Sequence, residues 1–245
     1  MTAADPRLRE HRDVWDRKPG LRAVYADYHI RLLDAVPDGP ILEIGGGSGN
    51  FRDIAPNAIS VDLAASPWVD VCCDAHELPF PDGAFSGIVM LDVLHHLARP
   101  AAFFAEAARA LRPGGRLAMI EPGMSLLSTP FYTYLHHEPV DMSVDPLADQ
   151  PPEVAADPFQ SNQAIPSLLF DRASHRARFE GQFPELKIVA KSKFSFLAYP
   201  LSGGFKNWSL LPGTLAPAIL KVDEWLGPVL GGMLGFRIGV VLERV

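Results

Sequence analysis

The sequence predicts a doubly wound α/β fold, an open and mostly parallel sheet with both faces covered. Three observations carry this expectation. Short apolar runs of strand length recur between residues 41 and 120, each ends in a turn or a carboxylate, and the segments between most of them are too long for hairpins. One of those segments, beginning at Pro100, has the apolar period of a helix. The 245 residues are 48% hydrophobic, enough for one large core. A net charge of -7 has the wrong sign for a protein that neutralises nucleic-acid phosphates, so no nucleic-acid partner is expected. Cys72 and Cys73 are adjacent, a spacing that strains a mutual disulfide and matches no metal motif; they read as buried free thiols of a cytoplasmic protein. Met1 to Glu10 lacks the apolar core of a secretory signal, and the apolar stretch Leu210 to Phe236 is broken by charges, Pro and Gly, so no transmembrane segment is expected. Contact with a membrane surface and a homodimer both stay open.

The elements follow in order. From Asp13 to Val36, apolar residues three or four apart predict helices divided at Pro19-Gly20. Ile41-Leu42-Glu43-Ile44 is a strand that stops at Gly45. Ala58 to Val61 ends at Asp62, and Trp68 to Cys73 ends at Asp74. Ser86 to Leu91 leads into Asp92-Val93-Leu94-His95-His96. Pro100 opens a helix that carries Phe103, Phe104, Ala107, Ala108 and Leu111 on one face. Arg112 to Gly115 has the composition of a turn, and Arg116 to Ile120 is a strand ending at Glu121. Six prolines between residues 139 and 166 predict a lid or substrate loop. A helix through Phe170 to Phe179 and strands around Lys187–Tyr199 and Arg237–Arg244 complete the chain. Between those strands, Leu215, Ile219, Val222 and Leu226 mark one helical face. The expected organisation is one domain, residues 1–245. It has N-terminal helices (1–38), a ligand-binding core (39–122), a lid or substrate region (123–185) and an apolar insertion (201–236) that suits a hydrophobic ligand, a dimer contact or extra core.

Glu43-Ile44-Gly45-Gly46-Gly47-Ser48-Gly49 sets a carboxylate two residues before a loop nearly free of side chains, where a flat nucleoside-like ligand can approach the backbone. The competing nicotinamide fingerprint G-x-G-x-x-G is begun by Gly45 and Gly47 and left incomplete by Asn50. Asp62 has two acceptor oxygens for a pair of ribose hydroxyls, and Asp74-Ala75 suits an adenine edge. Three successive strands thus end in or beside carboxylates, which would repel a pyrophosphate and suit a neutral ribose, an adenine and a cationic tail.

These residues resemble the class I S-adenosylmethionine-dependent methyltransferases, in their small-molecule branch. The resemblance rests on Ile41 to Gly49, Val61-Asp62, Asp74 to Phe85, Val93 to Leu97 and Leu111 to Leu117, in order and spacing, and covers about residues 40 to 122. It implies a seven-stranded sheet of order 3-2-1-4-5-7-6 with strand 7 antiparallel. The cofactor, S-adenosylmethionine with S-adenosylhomocysteine as product, would contact Glu43, Gly45, Gly46, Gly47, Gly49, Asp62, Leu63, Asp74, Ala75 and Leu91. The sequence departs from the family in leaving almost no room for a helix between Asp62 and Trp68.

Methyl transfer from a sulfonium needs alignment and, for an oxygen nucleophile, a base. His95, with Glu121 as the partner that raises its proton affinity, is the expected catalytic pair; His137, in the cluster His136-His137-Glu138, is the alternative. Contiguous ligands rarely converge on one ion, so no metal site is expected. The expected activity is therefore methylation of a small, hydrophobic acceptor at oxygen. Its competitors are a non-catalytic cofactor-binding protein and a nicotinamide-dependent oxidoreductase.

Overall fold

A computed structural model describes residues 5–149, 157 and 159–245. Its sheet has seven strands: β1 (Ile41–Ile44), β2 (Ile59–Asp62), β3 (Val71–Cys72), β4 (Phe85–Leu91), β5 (Leu111–Pro122), β6 (Leu186–Phe194) and β7 (Arg237–Arg244). Their order is β3-β2-β1-β4-β5-β7-β6, with β7 antiparallel to both β5 and β6 and the other pairs parallel. That is the expected sheet.

Alternation along the central strands divides the core in two. Ile88, Met90, Leu117 and Met119 face one side, where α3 (Pro100–Ala110), α5 (Ile165–Asp171) and α6 (Ala173–Gln182) cover them with Phe103, Phe104, Phe170 and Phe179. Val89, Ala118 and Ile120 face the other, under α1 (Pro6–Arg17), α2 (Pro19–Ala35), α7 (Ala198–Ser202) and α8 (Ala216–Leu234). A short helix α4 (Ser128–Tyr134) follows β5.

Several local expectations are corrected. Cys72 is exposed and Cys73 half-buried, because β3 is a two-residue strand at the sheet edge and cannot enclose its side chains. For the same reason the strand expected from Trp68 begins only at Val71. Arg112 to Gly115 is not a separate turn but a bulge within β5: pairing passes from Phe85 with Leu111 to Gly87 with Arg116, and Gly114 takes φ 75°. The helix expected through Phe170 to Phe179 breaks at Arg172, whose ψ of 120° leaves the helical region. The strand expected to reach Tyr199 stops at Phe194, since Ser195 adopts φ 59° and turns the chain into α7. Helix α8 does not bury the Leu215 and Val222 face. It packs through Ala216, Asp223 and Gly231, with Gly231 so close to β6 that a Cβ would lie 1.9 Å from the Lys193 carbonyl oxygen. Of the expected lid, Pro151, Pro152 and Pro158 lie outside the described residues, as does the start of Met1 to Glu10.

Candidate functional site

A cavity of about 1190 Å³ opens along the carboxyl ends of β1, β2 and β4 and continues beneath α4 and the loop after α7. Its first wall is the glycine loop. Gly45, Gly47 and Gly49 have φ of 74°, 49° and 75°, a region costly for any residue with a Cβ. The N–H groups of Gly45 and Gly46 donate to the Val61 carbonyl at 2.8 and 3.0 Å, folding the loop back over β2. Beneath it Ser60 Oγ donates to Glu43 Oε2 at 2.5 Å, and burial pushes the Glu43 carboxyl up to about 7. Glu43 thus props the loop from below. Gly49 is set back from the cavity wall, with Trp68 where its Cβ would be.

Asp62 Oδ2 accepts from Gly47 N–H and Oδ1 from Ala64 N–H, both at 2.8 Å, which holds the carboxylate at the cavity wall beside Leu63. Burial raises its proton affinity above the ordinary aspartate value. Asp74 is oriented by His76, whose backbone N–H and ring Nδ1 lie 2.9 and 2.5 Å from Oδ1. Against the effect of burial, these contacts hold Asp74 below the usual range. Ala75 and Leu91 complete this half of the wall. His29 Nδ1 and Asn50 Oδ1, on residues that also line the cavity, are buried without a hydrogen-bond partner among the described residues.

The second half of the cavity is built around His95, which sits in a 3-10 turn after β4 and is 4% exposed. Glu121 Oε1 accepts the N–H groups of Val93 and Leu94 at 2.8 Å each, and Oε2 lies 2.7 Å from His95 Nδ1. Glu121 therefore fixes both the turn and the ring. On the far side, His95 Nε2 lies 3.4 Å from Glu138 Oε2. Burial alone would depress the histidine, but the two carboxylates push it up to about 10; burial alone would raise Glu138, but the facing histidines hold it well below the usual range. Gln163 Nε2 donates to Glu138 Oε2 and keeps it in place. His96 turns its Nδ1 to the Gln160 carbonyl at 3.1 Å; burial and the neighbouring His95 push it down to about 4. His137, 75% exposed at its side chain, stays on the rim, 3.7 Å from Glu138.

Between the two halves lies Asp92, with φ 59°. It pairs through both oxygens with Arg237, the first residue of β7, and accepts from Tyr25 Oη at 2.9 Å. Arg237 is 1% exposed and stacks 3.9 Å from the Tyr199 ring centre.

The structure brings His95 and Glu121 together and sets His137 apart from both. Gln163 and Arg237 are absent from the residues singled out in the sequence, Glu138 was named there only as a member of the cluster around His137, and Asp92 only in the run that leads to His95. Asp92 carries a signal that could have found it, since it too is a carboxylate directly after a strand. Arg237 comes from a distant segment and carries none. The contiguous residues 136 to 138 do not converge on one point, while Glu138 comes near His95 and His96 from another segment, with one ligand atom of each within 4.8 Å of the others.

Comparison with known proteins finds a family match over part of the chain. Residues 42–119 match the methyltransferase domain family. A 27-O-demethylrifamycin SV methyltransferase of Amycolatopsis mediterranei is 50% identical over 134 residues, 44% of this chain and 49% of that protein. A demethylmenaquinone methyltransferase of Symbiobacterium thermophilum is 32% identical over 102 residues, 38% of each chain. The matched region spans about half or less of the length of these curated relatives. Among solved structures, a SAM-dependent methyltransferase of Archaeoglobus fulgidus superposes with a TM-score of 0.53 at 15% identity, covering 91% of this chain and 94% of that one. A geranyl diphosphate C-methyltransferase of Streptomyces coelicolor gives 0.50 at 15% identity, covering 91% and 77%. These structures share the fold.

Proposed function

Because the chain belongs, through residues 42–119, to the class I S-adenosylmethionine-dependent methyltransferases, we propose that it transfers a methyl group from S-adenosylmethionine to the oxygen of a small, apolar-bodied acceptor. The observation that carries this reading is the alignment of two wall elements along one cavity: the glycine loop with Asp62 and Asp74 at one end, and His95 with Glu121 at the other. The residues fit the cofactor. Asp62 and Asp74 present acceptor oxygens where ribose and adenine donors would lie, and the two unpartnered wall atoms of His29 and Asn50 leave further polar capacity. When bound, the cofactor supplies a methyl carbon on a sulfonium whose leaving group is a neutral thioether.

The protein's own part is alignment and charge. The glycine loop admits the ligand against backbone, Asp62 and Asp74 orient it, and Glu43 acts beneath the loop. The acceptor body would lie against Phe131, Tyr199, Phe205 and Trp208, which line the far wall, with its oxygen toward His95. Oxygen as the nucleophile is supported by the shared stretch with the 27-O-demethylrifamycin SV methyltransferase. Residues 139–149 and 159–166 flank this end of the cavity; Asp141 and Asn162 bond to each other at 2.9 Å and hold the two stretches together.

Calorimetry with S-adenosylhomocysteine and NADH tests the reading. The first should bind and the second should not. Asp62→Ala should weaken S-adenosylhomocysteine by about ten-fold or more, the scale of a lost hydrogen bond to a charged acceptor. Binding of NADH, or unchanged affinity in Asp62→Ala, would overturn the assignment.

A further inference from the structure

His95, His96 and Glu138 bring one possible ligand atom each to within 4.8 Å of the others. Each histidine has its Nδ1 committed to an oxygen acceptor: Glu121 Oε2 at 2.7 Å for His95, the Gln160 carbonyl at 3.1 Å for His96. A carbonyl only accepts, so His96 Nδ1 carries the proton and its Nε2 is left with a lone pair. His95, with Nδ1 on the Glu121 carboxylate, likewise turns its Nε2 toward Glu138. Metal-bound histidines are held this way, one ring nitrogen donating to a carboxylate or carbonyl while the other faces the ion. The 3.4 Å between His95 Nε2 and Glu138 Oε2 is long for a charge-assisted hydrogen bond. It equals the ligand-to-ligand edge, about 3.3–3.4 Å, of a tetrahedron with bonds of about 2.0–2.1 Å.

We propose that His95, His96 and Glu138 bind one divalent transition-metal ion of the zinc type, with Glu121, Gln160 and Gln163 holding the ligands in place. Two imidazoles and one carboxylate select zinc, cobalt or nickel over the all-oxygen shells of magnesium and calcium. Three protein ligands leave a fourth position open, and all three residues line the large cavity, so that position is available to an acceptor oxygen. This use of the ion rests on the methyl-transfer reading, with His95 then serving the acceptor through the ion; binding of the ion does not rest on it.

The test uses tag-free, full-length protein stripped with chelator and titrated with Zn²⁺ by calorimetry and with Co²⁺ by visible absorption. The expected result is one ion per chain, four-coordinate cobalt bands, and affinity lowered at least about 100-fold in both His96→Ala and Glu138→Gln. Each variant is also titrated with S-adenosylhomocysteine, which reports an intact fold because its site lies at the other end of the cavity. Absence of saturable binding below 100 µM (roughly -5.5 kcal/mol), or affinity unchanged in either folded variant, overturns the site. A bound ion without S-adenosylhomocysteine binding would leave the metal site standing and remove the methyl-transfer reading.

Discussion

At Gly46 a single Cβ would come within 1.8 Å of Ser60 Oγ and 3.0 Å of Glu43 Oε2. Here the hydroxyl and carboxyl beneath the loop occupy that space. Gly46→Ala should therefore break the Ser60–Glu43 bond, weaken S-adenosylhomocysteine by ten-fold or more (roughly 1.4 kcal/mol) and lower the melting temperature, read by calorimetry and thermal unfolding. Glu43 itself makes a pH-dependent prediction. Its folded-state affinity for protons is raised to about 7, above the unfolded value of about 4.5, so the folded chain holds a proton that the unfolded chain has lost between these limits. Stability from this group is fully present below pH 4.5 and declines as pH rises through 7. Glu43→Gln should thus be more stable than the parent at pH 8, by up to about 3 kcal/mol, with the gap closing toward pH 5 in urea titrations. A gap that does not change with pH would exclude this origin. At this scale the sequence was informative where chemistry and backbone coincide: a glycine run and carboxylates ending strands can be read without coordinates. It picked out the cluster His136-His137-Glu138 but favoured His137, because no local pattern shows which member of a contiguous polar cluster turns inward.

Among the elements, α8 shows how apolar periodicity can mark the wrong face. Leu215, Ile219, Val222 and Leu226 lie at helical spacing, yet Leu215 and Val222 are exposed while Ile219 packs against the core, and the close contact with β6 is made by glycine. Small residues allow backbone approach, and a reading based on large apolar residues cannot see them. The prediction pairs two neighbours. Gly231→Ala would drive a Cβ into the Lys193 carbonyl and should destabilise the protein by about 2 kcal/mol or more. Gly232→Ala meets nothing within 4 Å among the described residues and should stabilise by up to about 1 kcal/mol through helix propensity. Urea midpoints moving in the same direction for both would show that α8 does not pack as described. Asp223 was legible only as an interruption of the apolar run. It accepts the N–H groups of Leu197 and Ala198 at 2.9 and 2.8 Å and so caps the start of α7.

In the whole molecule, Arg237 joins the last strand to the turn after β4 and to Tyr25 on α2, and no sequence pattern relates residues so far apart. Removing one partner of a buried pair leaves a charge unpaired. Arg237→Met should destabilise by about 3–5 kcal/mol, and Asp92→Asn added to it should recover part of that loss; strict additivity in the double-mutant cycle would mean that the two do not interact. The order of the strands and the identity of the central ones were legible, because a parallel sheet writes itself as repeated apolar runs. The pairing of β5 with β7 has a further consequence. The matched region, residues 42–119, stops within β5, and the outer edge of that strand is paired with residues 237–243 of β7. A fragment cut after Pro122 would contain the loop and all three acidic strand ends, yet present a long strand with a free row of backbone donors and acceptors. Such an edge pairs with the next chain it meets, so the part of the sequence that looks most self-sufficient would be the part most prone to assemble into sheets between molecules.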